Sequence, residues 1–187
     1  MPTFRTSQPV SAAEIADPSK PHLILVGLPG SGKSTAGRAA AAALRRTFLD
    51  LDAEIERRRA ISIAEIFASK GEPYFRGLER ALTEELRLVG NMVLAPGGGW
   101  IANPGCLELL RPPGVLVYLK VRPEIALARL GKEAVRRPLL MRPDPLGELR
   151  RLLQEREPLY LQANHTVSTE MMSLQQVIDA IVALATG

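Results

Sequence analysis

Gly27-Leu28-Pro29-Gly30-Ser31-Gly32-Lys33-Ser34-Thr35 is the stretch whose residue types and spacing most directly suggest chemistry. It fits the pattern G-x-x-x-x-G-K-[ST]. Glycines so spaced let the backbone turn sharply, and successive N–H groups converge on one phosphate. Lys33 adds a mobile cation for the β and γ oxygens, and Ser34 offers a hydroxyl to magnesium. A helix opening near Lys33 aims its positive end at the same point. Gly30, Ser31, Gly32, Lys33, Ser34 and Thr35 are therefore expected to hold a magnesium–nucleoside triphosphate. The chain has no N-K-x-D for guanine and no L-S-G-G-Q of a transporter ATPase.

Further groups follow in a fixed order. Leu49-Asp50-Leu51-Asp52 closes a short apolar run. Ile63-Ala64-Glu65-Ile66-Phe67 precedes Gly71-Glu72-Pro73-Tyr74-Phe75-Arg76 and Glu79. Gly97-Gly98-Gly99 ends another apolar run. Arg137-Pro138-Leu139-Leu140 and Arg156-Glu157-Pro158-Leu159-Tyr160 come last. Asp50 and Asp52 stand two apart at an expected strand end. On an extended backbone they point in opposite directions and should do different jobs. One of them could instead cap the following helix.

Taken together, these groups resemble the shikimate kinase family, from about Leu23 to Ala163. The resemblance implies transfer of the γ-phosphate of ATP to the 3-hydroxyl of shikimate, within aromatic amino acid biosynthesis. It implies that Asp50 and Ser34 face magnesium. Asp52 accepts hydrogen bonds from substrate hydroxyls and is placed to take the proton of the attacking one. Arg76 and Arg156 match the clamp for the shikimate carboxylate, which a guanidinium grips through two parallel hydrogen bonds. Arg76 could alternatively form a surface ion pair with Glu72 or Glu79, and Glu79 is expected to orient it from one helical turn away. Gly97, Gly98 and Gly99 allow close approach, with the Gly98 N–H on shikimate. Phe75 and Phe67 give the pocket an apolar wall, although Phe67 suits plain core packing equally well.

Lys132, Arg136 and Arg137 match a lid over about residues 129–145. Arg137 there reaches the phosphates and counts with Lys33 and Asp52 as a catalytic group. Arg129 lies against the adenine. Pro96 and Trp100 flank the glycine triplet, and Trp100 is expected to narrow or reshape the pocket. Two other readings stand beside this one: a kinase of gluconate or another polyhydroxy acid, and a catalytically weak ligand-binding module.

These residues need a scaffold that brings them together. His22–Val26, Thr47–Leu49, Asn91–Ala95, Val115–Leu119 and Thr166–Ser168 read as strands. Helices are expected over Ala36–Arg46, from Ser62, over Glu72–Val89, from Pro104, from Pro123, over Leu146–Gln162 with a break near Pro158, and from a capping box at Ser173. The alternation predicts a three-layer α/β/α fold of the P-loop NTPase type with a five-stranded parallel sheet, which binds ligands at the carboxyl ends of its strands.

The 187 residues suit a single domain over 21–187, with residues 1–20, rich in proline, as a flexible arm. A net charge of +4 without a basic, aromatic-interleaved stripe speaks against nucleic acid as a partner. The lone Cys106 cannot form an internal disulfide and suits a buried apolar role in a reducing compartment. No signal-like or membrane-length apolar run is present. A cytoplasmic protein is the expectation, and the family resemblance implies a monomer.

Overall fold

Strand β1, Leu23–Val26, is buried at every position, as a central parallel strand must be. Its side chains alternate between two cores. Ile24 and Val26 point to one, Leu23 and Leu25 to the other. The same period of two repeats in β3 (Met92–Ala95) and β4 (Val115–Lys120). The computed structural model describes residues 20–131 and 143–186. With β2 (Thr47–Asp50) and β5 (His165–Ser168), the strands form one parallel sheet in the order β2-β3-β1-β4-β5.

Helix α1 (Lys33–Leu44) packs with α8 (Leu174–Thr186) over one face. The opposite face carries α2 (Leu51–Arg59), α3 (Ile63–Lys70), α4 (Glu72–Leu86) and α5 (Cys106–Leu110). Helix α6 (Pro123–Leu130) packs on α7 (Pro145–Tyr160). This is the expected three-layer α/β/α arrangement. From β1 the chain runs toward β2, and from the adjacent β3 it runs the other way to β4. The loops after β1 and β3 thus part and open a crevice at the carboxyl edge.

Local signals explain most boundaries. Ser62 and Glu65 form a reciprocal capping box at α3. Ser173 and Gln176 do the same at α8. Three expectations need correction. Helix α5 starts at Cys106 rather than at Pro104, because Gly105 in a left-handed conformation is its N-cap. Helix α4 ends at Leu86, and the chain tightens to i→i+3 bonds through Val89. Helix α7 runs through Pro158 without a break, since a proline near the end costs only its own N–H bond and Leu161 still donates to Glu157 at 2.9 Å.

His22 precedes β1 and is buried. The Met92 N–H donates to its Nδ1 at 3.3 Å, so Nε2 carries the proton and donates to the Leu86 carbonyl at 2.9 Å. Burial pushes its pKa below the usual histidine value, and Arg46 adds to the effect. The unfolded chain therefore binds more protons below about pH 6.5. Stability should fall as pH drops from there toward the folded value. Urea midpoints measured across this window should show a smaller fall in His22→Gln than in the parent chain.

Candidate active site

The loop between β1 and α1 wraps the helix N-terminus. Gly32 stands at φ +95° as the N-cap, with nothing within 4 Å of where a Cβ would sit. The glycine there serves backbone conformation, not space. Lys33 Nζ donates to the carbonyls of Gly27 at 2.8 Å and Leu28 at 2.9 Å. Ser34 Oγ donates to Asp50 Oδ2 at 2.6 Å, while Asp50 Oδ1 accepts the Ala53 N–H at 3.2 Å. One carboxylate thus caps α2 and faces the phosphate loop. Ser34 and Asp50 are hard oxygen donors, which fits magnesium, an ion that takes one or two protein ligands together with phosphate and water. Among the described residues no group of three or more His, Cys, Asp or Glu could form an all-protein cage.

Asp52 does not lie on extended backbone. Helix α2 begins at Leu51, so Asp52 is in its first turn and Asp50 is its cap. The two carboxylates meet different partners, Asp50 the Ser34 hydroxyl and Asp52 the Gly97 backbone, and strand pleat plays no part in this. Asp52 faces Gly97, where an added Cβ would come within 2.5 Å of Oδ1. The rest of the glycine triplet is crowded in the same way. A Cβ at Gly98 would meet Pro29 Cδ at 3.3 Å and Arg156 Nη1 at 3.4 Å, and one at Gly99 would run into the Arg76 guanidinium. Three side chains from α2, α7 and α4 thus close on one short loop that has none.

Arg76 Nη1 donates to Glu79 Oε2 at 2.6 Å, and its Nη2 to Glu72 Oε1 at 2.7 Å. The ion-pair alternative and the cleft position both hold, because the paired guanidinium also lines the cleft. Burial pushes the Glu79 carboxyl above the usual range, against the pull of Arg76, Asn103 and Arg156. Burial opposes the Arg76 charge as well, but Glu79 and Glu72 outweigh it and the net direction is up. Arg156 is buried on α7, and its Nη1 has no hydrogen-bond partner among the described residues. Such a donor is costly to leave unmet, and Arg156 lines the cleft.

The cleft measures about 820 Å³ and joins the phosphate loop, Asp50, Asp52, the glycine triplet, Arg76 and Arg156. Phe67 and Phe75 line it with ring centroids 5.1 Å apart. Phe67 also packs against the core, so both of its readings hold. Arg129 lines the cleft too, held by Thr169 through Oγ1 at 2.9 Å and the carbonyl at 2.7 Å. Lys132, Arg136 and Arg137, with most of the expected lid, lie outside the described residues, as does the arm up to residue 19.

Trp100 departs from expectation. It is wholly buried and absent from the cleft lining, and its indole N–H donates to Thr83 Oγ1 at 2.9 Å. Adjacency in sequence to the triplet suggested a pocket residue; the 3-10 turn Trp100–Ala102 turns the ring into the core. Pro96 does line the cleft. Cys106 is buried as expected, and burial pushes its thiol up to about 11. Sequence reasoning gave Tyr160 no role. Its hydroxyl donates to the Gly98 carbonyl at 2.9 Å and its ring stacks on Tyr118 at 5.0 Å. Its place in the R-E-P-L-Y run, one turn after Arg156, was the available signal.

A phosphate loop at the central strand of this sheet, with an arginine-lined acceptor cleft beside it, defines a P-loop phosphotransferase. The shikimate kinase family model matches residues 29–186. The chain is 41% identical over 161 residues to the shikimate kinase of Pelotomaculum thermopropionicum, covering 86% of this chain and 93% of that one. It is 38% identical over 161 residues to that of Caldanaerobacter subterraneus, covering 86% and 94%. The solved shikimate kinase of Acinetobacter baumannii in complex with shikimate superposes with a TM-score of 0.84 at 39% identity, covering 89% and 93%. The chain belongs to the shikimate kinase family.

Proposed function

We propose that this protein transfers the γ-phosphate of ATP to the 3-hydroxyl of shikimate, with magnesium. The observation that carries the acceptor assignment is Arg156, which lines the cleft with Arg76 and Asp52 and has a buried Nη1 without a partner among the described residues. A carboxylate on the acceptor satisfies both guanidinium groups. Family membership and the shikimate bound in the Acinetobacter baumannii relative support the same acid.

The phosphate loop N–H groups and Lys33 hold the triphosphate, and Arg137 adds positive charge from the lid. Ser34, with Asp50 beside it, would hold magnesium, which would supply charge neutralisation at the transferring phosphoryl group. Arg76 and Arg156 fix the acid end of the acceptor, while Gly98 leaves room for its ring. Asp52 orients the attacking hydroxyl and takes its proton. Positioning does most of the work in such transfers. Arg129 lies alongside the base.

The test is magnesium-dependent ADP release from ATP with shikimate, quinate, gluconate or no acceptor. Shikimate should stimulate release at least roughly tenfold more than either other acid. Stimulation by gluconate instead would overturn the acceptor assignment. Arg156→Lys should raise KM for shikimate roughly 10- to 100-fold with KM for ATP unchanged, since an ammonium cannot replace two parallel donors. Steady-state kinetics in both substrates would check this.

A further inference from the structure

Four residues beyond the glycine triplet, Asn103 is buried, and nothing in the motif pattern gives it a role. Its side-chain Nδ2 donates to the Arg76 carbonyl at 2.8 Å and to Glu79 Oε2 at 3.3 Å. The second acceptor is the same oxygen that receives Arg76 Nη1. One amide therefore touches both ends of the pair: the backbone that carries Arg76 and the carboxylate that aims it.

The loop holding Asn103 is itself fixed. The Asn103 N–H donates to Trp100 at 3.0 Å and its carbonyl accepts from Cys106 at 3.1 Å. A second tether, Arg80 Nη1 to the Pro104 carbonyl at 2.8 Å, binds the same loop to α4 without reaching Glu79. Among the described residues, Asn103 is the one on this loop whose side chain hydrogen-bonds to the Arg76–Glu79 pair directly.

We infer that Asn103 is a positioning residue for the acceptor's carboxylate, acting through Glu79 to hold the Arg76 guanidinium toward the cleft. The inference rests on the proposed acceptor. A second donor on Glu79 Oε2 offsets the burial of its charge and limits the directions in which the pair can swing. Asparagine suits this place because its NH2 gives two donors and adds no charge beside the ion pair.

The test compares Asn103→Ala, Asn103→Ser and Arg80→Ala with the parent chain, each first shown to be folded by its melting transition. Steady-state kinetics give kcat and both KM values, and calorimetric titration gives Kd for shikimate directly. Asn103→Ala should raise KM and Kd for shikimate roughly 5- to 20-fold, with kcat and KM for ATP within about twofold. Asn103→Ser, smaller but still a donor, should recover part of the loss. Arg80→Ala, which loosens the loop alone, should change shikimate binding less than about twofold. An unchanged shikimate Kd in Asn103→Ala overturns the inference. So does an equal rise in Arg80→Ala, which would show simple loop tethering, or an equal loss in ATP binding. If the parent chain binds shikimate but releases no ADP, the activity reading fails and Kd still decides the role of Asn103. If it binds no shikimate, both fall.

Discussion

Asp52→Asn should cut kcat roughly 10²- to 10⁴-fold while leaving KM for ATP within about twofold. The substitution is isosteric, so the crowded fit against Gly97, where a Cβ would come within 2.5 Å of Oδ1, is retained. What changes is charge and basicity. The amide can still accept a hydrogen bond from a substrate hydroxyl, but it cannot take the proton as phosphorus–oxygen bonding develops. The proposed nucleotide contacts lie with the phosphate loop, and the Ser34–Asp50 hydrogen bond there does not involve Asp52. Rapid-quench measurement of the first turnover would separate the chemical step from product release. A loss below about fivefold would show that alignment by Arg76 and Arg156 suffices and that the proton leaves by another route.

Trp100→Ala should lower the free energy of unfolding by about 3–5 kcal/mol, the usual range for removing a large buried aromatic side chain. Trp100 has no exposed surface and donates to Thr83, whose hydroxyl in turn donates to the Glu79 carbonyl at 2.7 Å. Trp100→Phe keeps most of the packing and loses the indole donor, for a cost of about 1–2 kcal/mol. In that milder variant KM for shikimate should move less than about twofold, because the ring does not line the cleft. Urea unfolding with kinetics on the same samples would check both parts. A changed order of preference among shikimate, quinate and gluconate in Trp100→Phe would return the residue to the specificity pocket.

The contrast between Lys33 and Trp100 shows where sequence reading reaches its limit. The phosphate loop is contiguous, so nine adjacent residues carry its turn, its lysine and its hydroxyl. The three inner strands β1, β3 and β4 were also legible, because a parallel strand buried on both faces reads as an unbroken apolar run. Asp50 and Asp52 have different neighbours, Ser34 and Gly97, but the extended backbone expected to separate them is not there. One residue of strand boundary, Asp50 as cap with Leu51 already helical, replaced pleat geometry with cap geometry. Trp100 and Asn103 were less legible still. Whether a side chain after Gly99 turns to the cleft or to the core depends on a short 3-10 turn that no periodicity announces. The partners of Asn103 lie 24 and 27 positions away. Tyr160 sat inside a quoted motif, yet its target, the Gly98 carbonyl, is 62 positions distant.

The glycine triplet has a consequence for how the protein comes apart. The phosphate loop joins β1 to α1 and packs closely on β4 and α6, where a Cβ at Gly27 or Gly30 would meet the carbonyls of Leu119 and Ala126. The acceptor cleft exists only where α2, α4 and α7 converge on Gly97–Gly99, with Asp52 and Arg156 separated by 104 positions in the chain. Partial opening of α4, which does not carry the phosphate loop's partners, should disrupt the acceptor cleft before the phosphate loop. Acceptor recognition is thus the less robust of the two binding capacities. It acts as a readout of whether the whole chain has closed, and a partly opened molecule would still hold nucleotide without being able to use it.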